Sequence, residues 1–162
     1  MRTTDKPILQ SFHIEGVKHI SPTDTLEAIN KGDAVLIDVR EVYEVSVESV
    51  PLDHVLNHPM SVIMDRLAYI VKDQNIILAC TAGVRSTKVA NLLTIQGYPN
   101  VANLDGGLRE WKAIGLPFES DLPNIGCSCN SDSTSHIGHG SPKVDLGVKP
   151  NQNTDFKNLK II

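Results

Sequence analysis

Residues 76–86 carry the sequence IILACTAGVRS, in which an apolar run ends on Cys80 and a short loop containing Gly83 follows. The run that ends on Cys80 is short and rich in β-branched residues, so it predicts a fully buried strand. From about Arg85 onward, apolar residues recur at helical spacing, which predicts a helix that ends at Gly97. The segment is therefore expected to form a strand, a tight loop and a helix.

This arrangement gives Cys80 the surroundings of a reactive thiol. Backbone N–H groups of the loop can turn inward at the helix N-terminus and form a concave anion site over the sulfur. The helix start and the guanidinium of Arg85 would both favour the thiolate. A buried, inert cysteine is the alternative, but such a cysteine has no need of a glycine-containing loop followed directly by Arg85 and Ser86. Cys80 is thus the candidate nucleophile, and Arg85 is the candidate electrostatic partner of an anionic substrate.

Strands and helices alternate along the chain as far as residue 119. The other predicted strands cover residues 17–21, 34–38 and 101–104. The other predicted helices run from Pro22 to Gly32, over residues 61–71 with Ser61 as cap, and from Gly106-Gly107 through Trp111. This alternation predicts a mainly parallel sheet covered on both faces. Sites in such sheets lie at the carboxyl ends of strands, where Asp38 and Cys80 both fall.

Three motifs resemble the rhodanese family of sulfurtransferases. They are CTAGVRS at residues 80–86, DVRE at residues 38–41, and LDGG at residues 104–107 followed by Trp111, Gly115 and Pro117. The motifs occur in the family's order and at its separations, over roughly residues 17–119. The resemblance implies an α/β, rhodanese-like three-layer fold with a mainly parallel central sheet and helices on both faces.

The resemblance also implies an activity, the transfer of sulfane sulfur from a persulfide or thiosulfate donor to a thiophilic acceptor. Cys80 would attack the outer sulfur of a small-molecule or protein-bound donor, hold it as a persulfide, and pass it to a thiol acceptor. N–H donors of the loop would stabilise this partly anionic intermediate. No cofactor and no metal are expected. The implied active-site loop consists of Thr81, Ala82, Gly83, Val84, Arg85 and Ser86.

Three further residues are expected to support the loop. In the family's arrangement Arg40 would fix the turn after its strand by ion pairing, in preference to a direct catalytic role. Asp38 would set the local field or accept hydrogen bonds from the loop. Thr87, like Ser86, could brace the loop through its hydroxyl. Trp111 and the adjacent glycine pair are expected to serve packing.

Two alternatives share the fold. A docking or regulatory module would use it without turnover, but such modules usually lose the cysteine that this chain keeps. A related group of phosphatases places the arginine six residues after the cysteine, whereas Arg85 is the fifth residue after Cys80. The loop between Cys80 and Arg85 is one residue shorter, so its ring of N–H donors is smaller and suits a sulfur atom better than a phosphate.

Residues 49–58 depart from the family pattern. The spacing from Pro51 to Asn57 is two residues longer than in that pattern, and Ser49 stands where a histidine is usual. Because the segment lies beside the active-site face in the family, substrate access is expected to differ. His54 and His58 are interpreted as solvated loop histidines in preference to a metal pair.

The composition of the chain bears on its binding partners, its location and the state of its cysteines. A net charge of −4 without any basic cluster argues against nucleic acid as a partner. No apolar run reaches membrane-spanning length, and the N-terminus lacks the apolar core of a signal peptide, so the cytoplasm is the expected location. Three cysteines cannot all pair, which favours a free Cys80 thiol in a reducing compartment.

Segments of a different character flank the predicted domain over residues 17–119. Residues 1–16 form an N-terminal arm, expected either as an edge strand or as a loosely packed segment. Residues 120–162 are polar and lack a regular apolar period, which predicts a flexible tail. The tail carries four potential zinc ligands, namely Cys127, Cys129, His136 and His139. A metal site, a sulfur relay from Cys80 and no fixed chemistry are the alternatives, and the last is favoured.

Overall fold

A computed structural model describes residues 1–121 of the chain. The strands are β1 (Lys18–Ile20), β2 (Ala34–Asp38), β3 (Glu48–Ser49), β4 (Val55–Asn57), β5 (Asn75–Ala79), β6 (Val101–Leu104) and β7 (Glu119–Ser120). The helices are α1 (Pro22–Asn30), α2 (Val42–Val47), α3 (Ile63–Arg66), α4 (Val84–Ile95) and α5 (Gly107–Ala113), with 3₁₀ turns at Met60–Val62 and Leu67–Tyr69.

Five strands form one parallel sheet in the order β1-β6-β5-β2-β4, with β5 at its centre. The register pairs Asp38 at the end of β2 with Ala79 at the end of β5. Asp38 and the following Cys80 therefore lie at the same edge of the sheet. The predicted parallel architecture is confirmed, including strand bounds at residues 34–38 and 101–104.

Helices cover both faces of the sheet. Successive side chains of a strand point to opposite faces, so β5 contributes to two separate apolar clusters. Ile76 and Leu78 pack in the cluster that contains residues of α3 and α4, and Ile77 and Ala79 pack in the one that contains residues of α1 and α5. Trp111 is fully buried in the second cluster, and its indole N–H donates to a carbonyl at 2.9 Å. With both faces covered, the carboxyl edge of the strands is left open for a site.

The prediction of a single helix over residues 61–71 is wrong. The structure divides this segment into a 3₁₀ turn, the four-residue α3 and a second 3₁₀ turn. The hydroxyl of Tyr98 donates to the carbonyl of Leu67 at 2.7 Å and contacts that of Ile70 at 3.4 Å. Because Ile70 is also extended, the helical pattern stops one residue before it.

The sequence interpretation missed α2 and the edge strand β4. α2 begins after Glu41, whose N–H donates to the carboxylate of Glu44 at 3.0 Å, three residues on, as in a capping box. Glu41 in turn accepts the hydroxyl of Ser61 at 2.8 Å. Ser61 therefore binds the start of α2 instead of capping a helix of its own.

The N-terminal arm packs against the domain. Thr4 and His19 form an antiparallel bridge in which each N–H donates to the other residue's carbonyl at 2.8 Å. The amides of Ile8 and Leu9 donate to one carboxylate oxygen of buried Asp105, at 2.6 and 3.0 Å. The arm thus adds a single bridge at the β1 edge and is otherwise held by side-chain contacts.

The end of the described chain is also bound to the domain. β7 pairs antiparallel with β3, and the amide of Asp121 donates to the carbonyl of Val47 at 2.9 Å. The candidate ligands Cys127, Cys129, His136 and His139 lie outside the described residues, as does residue 122 onward of the predicted tail. Within residues 1–121, the helices are too short or too polar to cross a membrane.

Tyr98→Phe is expected to lower the free energy of unfolding by about 1 kcal/mol, because the carbonyls of Leu67 and Ile70 lose their side-chain donor. Urea denaturation measures the change. Tyr69→Phe is the matched control, since Tyr69 is 72% exposed. Equal effects of the two substitutions would show that the buried hydroxyl contributes nothing.

Candidate active site

Cys80 lies immediately after β5, beneath the loop, and is 1% exposed. Its sulfur accepts the amide of Ser86 at 3.4 Å and the hydroxyl of Ser86 at 3.3 Å. Ser86 lies in the first turn of α4, where the helix presents unpaired N–H groups and positive partial charge. Both donors stabilise negative charge on the sulfur, which a nucleophilic thiolate requires.

The loop turns at Gly83, whose φ of 83° lies in the left-handed region that glycine adopts without strain. Within residues 1–121, the amides of residues 81–85 donate to no protein acceptor. They precede or open α4, so they are available to an anionic group at the helix N-terminus. The hydroxyl of Thr87 donates to the carbonyl of Gly83 at 2.6 Å and holds this turn from behind.

The start of α5 supports the loop from the other side. The amide of Leu108 donates to the carbonyl of Cys80 at 2.8 Å, and that of Arg109 donates to the carbonyl of Thr81 at 2.9 Å. A Cβ atom on Gly107 would lie 2.5 Å from the Cys80 carbonyl oxygen, so only glycine permits this approach. The glycine pair expected to serve packing therefore contacts the loop backbone directly.

Arg85 is bound by a carboxylate that the sequence interpretation did not identify. Its guanidinium donates to both carboxylate oxygens of Glu44 at 2.6 and 2.7 Å, and to the hydroxyl of Thr81 at 3.1 Å. These hydrogen bonds lower the pKa of Glu44 from 4.5 to about 2 and raise the pKa of Arg85. A sequence signal existed, because Glu44 stands three residues after Glu41, where a capping-box acid is common.

Asp38 and Arg40 form a buried ion pair beside the loop. The guanidinium of Arg40 donates to both carboxylate oxygens of Asp38, at 2.7 Å for the shortest contact, and to the carbonyl of Glu48 at 2.8 Å. The side-chain amide of Asn57 donates to the carbonyls of Asp38 and Arg40. The pair thus holds the turn after β2 and joins it to β3 and β4.

Two cavities lie near this edge of the sheet. A cleft of about 170 Å³ adjoins the loop, and its lining includes Thr81, Arg40, Glu48, Leu108, Arg109, Lys112 and Phe118. Lys112 pairs with Glu48 and lies over the ring of Phe118. A larger cavity of about 580 Å³ is lined mainly by residues 49–57 and includes Asp38 but no residue of the loop. The smaller cleft is therefore the better candidate for binding a substrate of Cys80.

The interpretation of His58 as a solvated histidine is wrong. His58 is 7% exposed, and burial lowers its pKa, with a smaller contribution from Arg66. His54 is exposed, as expected. Among residues 1–121, no group of three or more His, Cys, Asp or Glu side chains is placed to hold a metal ion.

The sequence and the fold are both similar to those of known proteins. The family model of the rhodanese-like domain matches residues 21–114 of this chain. A sulfurtransferase of Allochromatium vinosum is 36% identical over 86 residues, which cover 53% of this chain and 78% of the relative. The thiosulfate sulfurtransferase GlpE of Glaesserella parasuis is 33% identical, with 65% of this chain and 95% of the relative covered. The crystal structure of a rhodanese-related protein from Thermoplasma volcanium has a TM-score of 0.56 at 26% identity, and the match covers 62% of this chain and 96% of that one.

The ion pair between Glu44 and Arg85 predicts a pH-dependent stability. The pKa of Glu44 is about 2 in the folded protein and 4.5 ordinarily. The ionised carboxylate therefore stabilises the folded protein above pH 4.5, and this contribution is lost as the pH falls toward 2. Glu44→Gln lacks this contribution, so its difference from the wild type in unfolding free energy should shrink between about pH 6 and about pH 3.

Denaturation at both pH values measures that difference. Asp73→Asn is the control, because Asp73 is exposed and forms no ion pair with another residue of the described chain. A wild-type advantage over Glu44→Gln that stays constant across the pH range would rule out this coupling.

Proposed function

The chain belongs to the rhodanese-like domain family, and from this premise we propose that it is a sulfurtransferase that works through a persulfide on Cys80. The observation that carries the proposal is the position of the Cys80 sulfur, which lies at the end of the central strand and accepts two hydrogen bonds from Ser86. Relatives named as sulfurtransferases add support.

The proposed reaction has two displacement steps. The Cys80 thiolate attacks the outer sulfur of a donor persulfide, the donor's S–S bond breaks, and the donor leaves as a thiolate that takes up a proton. An acceptor thiolate then attacks the outer sulfur on Cys80, and Cys80 leaves as a thiolate. No electrons are gained or lost overall. The donors on Ser86 stabilise the sulfur each time it is anionic, and the amides of residues 81–85 are available to the outer sulfur.

The ion pair at Arg85 bears on the choice of donor. Thiosulfate is a dianion, and its sulfonate would approach a cation whose charge Glu44 already compensates. A thiol-bound persulfide carries no sulfonate, so it avoids repulsion by the Glu44 carboxylate. The cleft beside Thr81 offers the organic part of such a donor the half-buried apolar ring of Phe118. We therefore propose a thiol-bound persulfide as the preferred donor.

Incubation with a thiol persulfide is expected to add one sulfur atom to the wild-type protein and none to Cys80→Ser, as measured by intact mass. A double variant, Cys127→Ser with Cys129→Ser, is the control and should keep the gain, because the first displacement needs only Cys80 and its loop. Absence of the added sulfur in the wild type would reject the sulfurtransferase and favour a docking module of the same fold.

Glu44→Gln is expected to lower KM for thiosulfate about tenfold, because removal of the carboxylate leaves the Arg85 charge available to the sulfonate. Turnover with a thiol persulfide should stay within about twofold of the wild type, since that donor has no sulfonate that would bind the Arg85 charge. Steady-state kinetics with both donors tests this selectivity.

The matched control is Glu27→Gln, which removes a carboxylate of α1 that pairs with Lys31 and makes no contact with the loop. If Glu44→Gln leaves KM for thiosulfate unchanged, the carboxylate does not set donor preference.

A further inference from the structure

Gln10 lies outside the region that the family model matches, yet its side-chain amide is fully engaged at the back of the active-site loop. The amide nitrogen donates to the carbonyl of Phe12 at 2.7 Å and to the hydroxyl of Thr87 at 3.1 Å. The amide oxygen accepts the backbone N–H of Gly106 at 3.1 Å and the side chain of Asn103 at 3.0 Å. Two donors and two acceptor sites are the full capacity of a glutamine amide.

These contacts reach both supports of the loop. The hydroxyl of Thr87 accepts from Gln10, so its own hydrogen is directed to the carbonyl of Gly83. Gly106, which Gln10 also holds, directly precedes the glycine that packs on the Cys80 carbonyl. Gln10 lies so close to the turn that a Cβ atom on Gly83 would come within 1.7 Å of its amide oxygen.

We propose that Gln10 is a positioning residue for the active-site loop, acting through Thr87 and Gly106 to keep the donors of residues 81–86 arranged around the Cys80 sulfur. The effect of Gln10 on sulfur transfer rests on the proposed function. The effect of Gln10 on the reactivity of the Cys80 thiol does not, so the role of Gln10 and the proposed function can be tested separately.

Two backbone groups determine which way the amide points. The carbonyl of Phe12 can only accept, so it requires the nitrogen, and the amide of Gly106 can only donate, so it requires the oxygen. In Gln10→Glu, an ionised carboxylate would direct an oxygen at the Phe12 carbonyl. A protonated carboxyl restores one donor there, so this variant should recover its function as the pH falls.

Other titratable groups lie close enough to require a reference at each pH. Asn103 also contacts His19 at 3.1 Å, and the second ring nitrogen of His19 lies 3.1 Å from His13. Burial lowers the pKa of His19, which the carboxylate of Asp105 partly offsets. The wild type carries all these groups, so the ratio of variant to wild type at one pH isolates the introduced carboxyl.

The experiment follows alkylation of Cys80 by iodoacetamide, with mass analysis of the peptide that contains Cys80, and persulfide formation in a single turnover. Gln10→Met, similar in length but without hydrogen bonds, should slow both about tenfold near neutral pH. Gln10→Glu should be similarly slow there, and its rate relative to the wild type should rise several-fold toward about pH 5. Ile14→Ala, which weakens the packing of the arm on the core, should stay within about twofold of the wild type.

The proposal is overturned if a folded Gln10→Met protein is alkylated at the wild-type rate. It is also overturned if Ile14→Ala slows alkylation as much as Gln10→Met does, because the effect would then come from the packing of the arm. If Gln10→Met does not fold by circular dichroism, the pH series of Gln10→Glu decides, and a flat ratio to the wild type rejects the proposal. A wild type that forms no persulfide rejects the sulfurtransferase, while the alkylation rates still test Gln10.

Discussion

The carbonyl oxygens of Cys80, Thr81 and Gly83 accept hydrogen bonds from the protein behind the loop, and the rest of the candidate site depends on this constraint. Cys80 and Thr81 give their carbonyls to the first amides of α5, and Gly83 gives its carbonyl to Thr87. Buried backbone groups need partners, so these bonds satisfy the acceptors without using the loop's own donors. The amides of residues 81–85 are thereby left for a bound anion. The close approach of α5 in turn requires Gly107, whose missing side chain makes room for the Cys80 carbonyl.

The three arginines near the loop are each paired with a carboxylate, and the most exposed of them, Arg109, contacts Glu110 at 3.3 Å. Arg85 is paired with Glu44, and Arg40 with Asp38 in a buried pair. The local electrostatics around the sulfur therefore come mainly from peptide dipoles and the Ser86 hydroxyl, and less from net positive charge. Such a site favours a diffuse, polarisable charge on sulfur over a compact dianion, in keeping with the proposed persulfide chemistry.

Much of the fold could be predicted because apolar runs with polar ends mark buried strands, as at residues 34–38 and 101–104. The candidate nucleophile and its loop could be proposed from the sequence for a similar reason, because the strand, loop and helix around Cys80 are formed by neighbours in sequence. Glu44, by contrast, lies in a six-residue helix too short to show a period. The carbonyl of Leu67 accepts a hydroxyl from a residue 31 positions later, and the side chain of Gln10 contacts residues 77 to 96 positions later. No local pattern records contacts at such separations.

The order of strands bears on how the protein is made. β1 comes first in the chain, but in the sheet it pairs with β6, and the bonds from α5 to the loop come later still. Contacts between distant residues form late, because the loops between them must close first. During synthesis, Cys80 therefore emerges well before residues 101–109, on which its surroundings depend. The bonds from α5 that hold the loop at Cys80 can form only after residues 107–109 have been made, so the reactivity proposed for Cys80 belongs to the completed domain and not to the nascent chain.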